Sequence, residues 1–219
     1  TDRHSSNFLN ERENFFHKPL VNLNHFYEIN DDMRLSSVLY WSGGSGGGTG
    51  TYGSVSRKPA VEGNNWWASS PWQWDWDAEI AQNSSNIDSD YSTSENRSTG
   101  ILRNSINRQD TYGLISKLNF DLNESVKLQA GVDWRTAGIE HAREVRDLLG
   151  GDYYVDFADD NSPDGKVVRL GDKIAYSNIT TVDWLGFFGQ GTYSSGALSA
   201  YGMFGWSQIA YTYQVQLQS

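Results

Sequence analysis

The segment NNWWASSPWQWDWDAEI places five tryptophans, Trp66, Trp67, Trp72, Trp74 and Trp76, around two carboxylates, Asp75 and Asp77. Clustered indoles with interleaved carboxylates are suited to gripping a sugar or peptide, or to seating a partner protein. The same residues also suit a small aromatic core that holds a long loop in shape. As a glycosidase pair, Asp75 and Asp77 are poorly placed. Catalytic carboxylates flank the scissile bond about 5–9 Å apart and usually come from different elements.

Other candidate chemistry is thinner. In DDNSPDG, Asp160, Ser162, Asp164 and Gly165 match the first half of a calcium loop, but Gly171 stands where its twelfth, acidic ligand belongs. IEHAREVRDLLGG reads as a short helix with a stripe of Ile139, Ala142, Val145 and Leu149 and a Gly150-Gly151 stop, or as an extended strand. On a helix, His141 and Glu144 stand at i,i+3 without the second ligand pair a metal needs. Gly48, Gly50 and Gly53 spell G-x-G-x-x-G after the β-like run MRLSSVLYW. The next stretch of chain, SVSRKPAVEGNN, contains Pro59 and no helical stripe, so the dinucleotide reading lacks its helix. No Ser/His/Asp set has a catalytic signature, and the chain has no cysteine for a nucleophile, a disulfide or a thiolate site. The chain reads as a non-enzyme with no required cofactor.

Composition narrows the class. The 219 residues carry a net charge of -10, which argues against a nucleic-acid partner. Nine Trp and twelve Tyr coexist with a mean hydropathy of -0.60. Such residues favour interfaces, including the two edges of a bilayer. No apolar stretch approaches the ~20 residues of a transmembrane helix, which leaves transmembrane strands open. The polar N-terminal TDRHSSNFLNERENFF has no signal-peptide pattern and reads as starting within a longer unit.

The elements that would position these loops show a repeated plan. In YGLISKLNFDL, Tyr112, Leu114, Leu118, Phe120 and Leu122 share one face, with Gly113, Lys117, Asn119 and Asp121 opposite. After Asn123-Glu124-Ser125, VKLQAGVDW puts Val126, Leu128, Ala130, Val132 and Trp134 against Lys127, Gln129, Gly131 and Asp133. Period-two alternation around a tight turn predicts an antiparallel hairpin with one apolar and one polar face. Upstream, Val21, Leu23, Tyr27 and Ile29 precede the turn Asn30-Asp31-Asp32, and Leu35, Leu39 and Trp41 come after it; His25 interrupts the apolar side. Downstream, VDWLGFFGQGTY and ALSAYGMFGW flank Ser194-Ser195-Gly196. Both faces of that third hairpin carry aromatics, so its orientation is not readable.

The predicted fold is all-β: an antiparallel transmembrane β-barrel segment of three hairpins, about 19–42, 111–135 and 181–207, forming one domain over 1–219. Short turns lie at one end, and long loops of about 43–110 and 136–180 lie at the other. That is the layout of short periplasmic turns and long extracellular loops. Phe26, Tyr27, Tyr40, Trp41, Phe120, Trp134, Trp184, Tyr193 and Trp206 fall near strand ends, as interfacial girdles do. The glycines after Trp41 would let the chain bend away from the membrane into the Trp-rich loop. Six strands fall short of the ~8 of the smallest such barrels, so further strands are expected. The alternative is a secreted β-sandwich carbohydrate-binding module that uses the Trp-rich loop.

The strings NFFHKPLVNLNHFYEIN, SVLYWSGGSGGGTGTYGSV, GILRNSINRQDTYGLISKLNF and EHAREVRDLLGGDYYVD resemble the barrel region of TonB-dependent outer-membrane receptors. The subset they resemble carries an N-terminal carboxypeptidase-regulatory-like domain. The resemblance implies a 22-stranded barrel in the outer membrane of a Gram-negative bacterium, taking up scarce ligands such as iron chelates, cobalamin, glycans or peptides. It implies as partners the outer-membrane lipids, a plug domain, the remaining barrel strands, the TonB complex and a surface lipoprotein. The sequence shows neither the plug nor the TonB-contacting motif.

Overall fold

The computed structural model describes residues 9–59 and 73–217. Along the chain it forms β1 (Asn14–His17), β2 (Leu20–Asn30), β3 (Met33–Gly53), α1 (Trp76–Asn83), β4 (Arg97–Ser98) and β5 (Gly100–Asp121). Then come β6 (Val126–Asp147), β7 (Tyr153–Asp156), β8 (Lys166–Val168), β9 (Lys173–Ser195) and β10 (Leu198–Leu217). The protein is all-β, with a large antiparallel sheet in the order β1-β3-β5-β6-β9-β10, and β2 also paired to β3.

The three expected hairpins form, β2–β3, β5–β6 and β9–β10. Their turns are closed by local chemistry. Asn30 Oδ1 accepts from the Asp32 N–H at 3.0 Å, and Asn123 Oδ1 accepts from both Ser125 and Val126 N–H at 2.9 Å. Gly196 turns the third hairpin with φ +60°, a conformation only glycine adopts freely.

β1 and β2 act as one edge strand. Asn14 faces Gly48 and Leu20 faces Ser42, so the register carries straight through Pro19. Proline has no N–H to give the ladder, which explains both the break and its place at an edge. β10 forms the other edge, and the sheet is open among the described residues.

Several strands run well past the expected ends. β3 pairs with β5 without interruption from Met33↔Phe120 to Gly53↔Gly100, and β6 runs beside β9 as far as Glu144↔Lys173. The connections therefore shrink from 43–110 and 136–180 to 54–99 and 148–172. The glycine run does not bend into a loop; it is a strand held between β1 and β5. Glycine is a poor strand former because it has most freedom to lose, but here neighbouring side chains fill its space. A Cβ on Gly46 would fall 2.5 Å from the Phe16 ring, and one on Gly43 would fall 2.7 Å from Trp41. Rings laid across glycines restore the packing that the missing side chains give up. With no turn and no helix at Gly53, the dinucleotide geometry is absent.

The helical reading of 139–149 also gives way. Ile139–Asp147 continues β6, because β5 and β9 supply a ladder on both sides. His141 and Glu144 consequently project from opposite faces. His141 Nδ1 meets Asn107 Oδ1 at 2.5 Å, whereas Glu144 pairs with Arg108.

The register aligns the apolar faces of successive hairpins. Leu23, Leu39, Leu114, Trp134 and Leu185 lie in one cross-strand row. Among the described residues nothing covers this face: Leu39 is 50% exposed, Phe187 49% and Phe204 73%. The opposite face carries Arg34, Lys117, Asn119, Asp121, Lys127, Gln129, Asp133 and Arg135. At the end away from the turns, a loop layer packs on that polar side. Its three-stranded sheet, β4-β7-β8, and the sheet residues Tyr52, Ile101, Val145 and Ile174 enclose the main buried cluster together with Val168 and Tyr154.

Candidate functional site

The loop layer holds part of the predicted aromatic site. Trp66, Trp67 and Trp72 lie outside the described residues. Trp74 and Trp76 are brought together, with ring centroids 5.9 Å apart. The Arg57 guanidinium sits 3.8 Å from the Trp74 ring centroid, and the Trp74 indole N–H donates to Glu11 at 2.8 Å. A short bridge fixes this contact: Lys58 N–H bonds Gln73 O, and Asp75 N–H bonds Ser56 O, both at 2.9 Å. Trp74 thus ties the connection 54–99 back to the segment before β1.

The two carboxylates have separate duties. Asp75 is the N-cap of α1, accepting from the Ala78 N–H at 3.3 Å, and Asp77 is exposed in the first turn, where the helix dipole favours a negative charge. They do not face one another across a cleft as a glycosidase pair would.

The residues that hold α1 in place carry no sequence signal. Glu79 and Asn83 are i,i+4 on its inner face and fully buried. Glu79 accepts from Ser56 N–H at 2.7 Å and from the Thr99 hydroxyl at 3.2 Å. Asn83 Nδ2 donates to Gly100 O and Leu149 O, each at 3.1 Å, and its Oδ1 accepts from Thr99 N–H at 3.0 Å. One amide therefore links the helix to the start of β5 and to the turn after β6. A polar pair on a short helix reads as a solvated face, so only the fold reveals it.

Asp156 performs the same task in the second connection. It accepts from Ala175 N–H at 2.7 Å, where Ala175 has φ +59°, and from the Tyr52 hydroxyl at 3.2 Å. Tyr52 lies far beyond the apolar band, edge-on to Tyr154 at 5.8 Å. Burial, reinforced by the Asp156 carboxylate, pushes the Tyr52 phenol up to about 12. Burial likewise raises Tyr154.

The acidic turn is built around a different carboxylate from those of the calcium reading. Asp159 Oδ1 accepts from the Asn161 N–H at 3.0 Å, and the Asp164 carbonyl accepts from the Tyr91 hydroxyl at 2.7 Å. Asp160 and Asp164 are exposed. Among the described residues, no group of three or more His, Asp or Glu side chains is gathered to hold a metal ion.

On the polar face, side chains link across four strands. The Tyr201 hydroxyl donates to Gln190 at 3.0 Å, Gln190 to Gln129 at 2.8 Å, and Gln129 to Asn119 at 2.6 Å. Beside them Arg34 pairs with Asp121 at 2.6 Å. Asn119, Gln129 and Gln190, with Arg34 and Asp121, line a hollow of about 350 Å³ near the turns. The arrangement is a wetted, hydrogen-bonding surface, opposite in character to the face behind it.

Comparison with protein-family models, curated proteins and solved structures finds no match to this chain.

Proposed function

We propose that this chain is a segment of an outer-membrane TonB-dependent receptor, mediating energy-coupled uptake of a scarce ligand such as a siderophore, a glycan or a peptide. The observation that carries the membrane part is the uncovered apolar band on one face of the sheet. From Tyr112 to Leu122 it runs about 34 Å along the strand at ~3.4 Å per residue. Tilted by ~40°, that is about 26 Å, against the ~25 Å apolar band of outer-membrane barrels.

Both borders of the band support the reading. At the turn end it meets Asp31, Asp32, Asn123 and Glu124. At the other end it meets Asp110, then Arg108 paired with Glu144 at 2.8 Å and with Glu140 at 3.3 Å, and Lys173 paired with Glu140. An open sheet edge in hydrocarbon leaves backbone groups without partners. The two edges, β10 and the β1–β2 strand, therefore take further barrel strands. The polar face would then line the lumen, toward a plug domain, with the loop layer above it outside the cell. In that setting Trp74 and Trp76 stand where an arriving ligand or a surface lipoprotein would meet them. The uptake function and the TonB partnership rest on the family resemblance.

The sandwich alternative needs a second sheet against the apolar face. Among the described residues, the second sheet instead lies toward the polar face, at the far end.

The test is extraction and electrophoresis of the native protein. The receptor reading expects it in the outer-membrane fraction, dependent on detergent, with faster gel migration unheated than boiled. A protein that stays in solution without detergent and migrates identically in both lanes would sink it.

A further inference from the structure

The polar face carries three aromatic rings that lean onto glycines. Tyr40 faces Gly113 across β3–β5, and its ring end occupies the space where a Gly113 Cβ would stand. Phe188 does the same to Gly131 across β6–β9. Trp184 folds along its own strand, its Nε1 3.1 Å from a Cβ placed on Gly186. All three rings are half-buried, so each keeps surface open to what lies above the sheet. Tyr40, Gly113, Arg135 and Trp184 form one cross-strand row, and Asp133 and Gly186 stand side by side in the next.

Charge is concentrated among these rings. Arg135 sits 5.1 Å from the Trp184 ring centroid and pairs with Asp133 Oδ2. The remaining Asp133 oxygen, Oδ1, and the Trp184 Nε1 are both withdrawn from water and have no hydrogen-bond partner among the described residues. Leaving an acceptor and a donor unpaired is costly. Beside them lies a groove of about 230 Å³ lined by Asp133, Trp184, Gly186, Phe188, Gly205 and Ser207, with Phe187 and Trp206 of the opposite face at its margin. The two glycines keep it open.

We propose that this groove is a saccharide subsite. Trp184 and Phe188 meet the C–H face of a sugar ring, and Asp133 Oδ1 and Trp184 Nε1, brought to the groove by a small turn of their side chains, pair with its hydroxyls. The chemistry selects this ligand class. A sugar hydroxyl both donates and accepts, which matches an unpaired carboxylate oxygen beside an unpaired indole N–H. The Asp133–Arg135 pair is nearly neutral, which disfavours phosphates. The groove is too open for an apolar ligand, which needs an enclosed pocket. A peptide strand would seek a sheet edge, and these residues lie on interior strands β6 and β9 as well as β10. The proposal goes beyond the receptor reading and does not require it, since it uses the face opposite the apolar band.

The experiment titrates the full chain, folded in detergent, with maltoheptaose, cellohexaose and chitohexaose by isothermal calorimetry. Circular dichroism checks that each variant is folded. At least one oligosaccharide should bind, and Asp133→Asn and Trp184→Phe should each weaken it by roughly tenfold or more. Phe204→Leu, on the opposite face and away from the groove, should not. The proposal is overturned if the unaltered chain binds none of the three, or if Asp133→Asn binds as tightly as the parent. It is equally overturned if Trp74→Ala abolishes binding while Trp184→Phe leaves it intact, which would place the sugar on the loop layer. If the chain proves soluble without detergent, the membrane reading fails and the same titration is run in buffer.

Discussion

The Trp41 indole N–H donates to the Asp110 carboxylate at 3.0 Å, at the row where the apolar face of the sheet turns charged. Trp41 belongs to the last apolar row, beside Tyr112, and Asp110 faces Gly43 in the row above. An indole with its body on the apolar band and its N–H on a carboxylate fits a membrane–water boundary. The membrane reading ties a set of energetic consequences to this boundary.

Charge should be tolerated on one face only. Leu118→Arg places a guanidinium mid-band, and its folded state in lipid vesicles should lose about 2–4 kcal/mol, the cost of Arg or Lys near a bilayer midplane. Asn119→Arg, one residue on and facing the other way, should lose far less. Urea unfolding of both variants in vesicles measures the difference; equal losses would remove the basis for a lipid-facing band.

The glycine slots under the aromatic rings should be intolerant of side chains. Gly131→Val puts branched carbon where the Phe188 ring lies, and overpacking of this kind costs about 1–3 kcal/mol. Adding Phe188→Ala should recover part of the loss, because the clash partner is gone. A double-mutant cycle with no coupling between the two sites would contradict the packing described.

Asn83 should control the loop layer without controlling the sheet. Asn83→Ala leaves the Gly100 and Leu149 carbonyls and the Thr99 N–H without their partner, at roughly 1–3 kcal/mol for buried groups so abandoned. Hydrogen exchange should quicken over 76–99 and 148–152 while the β5–β6 ladder below Tyr112 stays protected. Uniform exchange across both regions would mean that α1 is not held through this residue.

Tyr52 sets an alkaline limit. Its folded phenol is raised to about 12, above the ~10 of an unfolded tyrosine. A raised folded value means that the unfolded chain loses its proton first. The stabilisation is therefore complete below about pH 10 and fades as pH climbs through the folded value. Ultraviolet titration should show a late tyrosinate signal, shared with the buried Tyr153 and with Tyr154, that is reduced in Tyr52→Phe. A Tyr52→Phe titration curve identical to the parent's would show that the Asp156 contact does not operate in solution.

The chain's alternation determined by itself what is local. Strict period two in 112–122 and 126–134 dictates which side chains share a face, because successive Cβ atoms on a strand point opposite ways. Asn and Gly at the turns dictate where each strand folds back. The antiparallel hairpins, the apolar and polar faces and the all-β class were legible for that reason.

Tertiary structure alone decided what depends on neighbours. Gly43 to Gly48 has no strand-forming side chains, and 139–147 fits a helical stripe as well as a strand. Both became strand because adjacent strands offered backbone partners, β5 along the whole glycine run with β1 opposite Ser45 to Gly48, and β5 and β9 beside 139–144, and that long-range term outweighs local propensity. The duties of Glu79, Asn83 and Asp156, and the meeting of Asp133 with Trp184, arise between residues distant in sequence. No pattern along one chain encodes which carbonyl an amide will reach once strands far apart have been laid side by side.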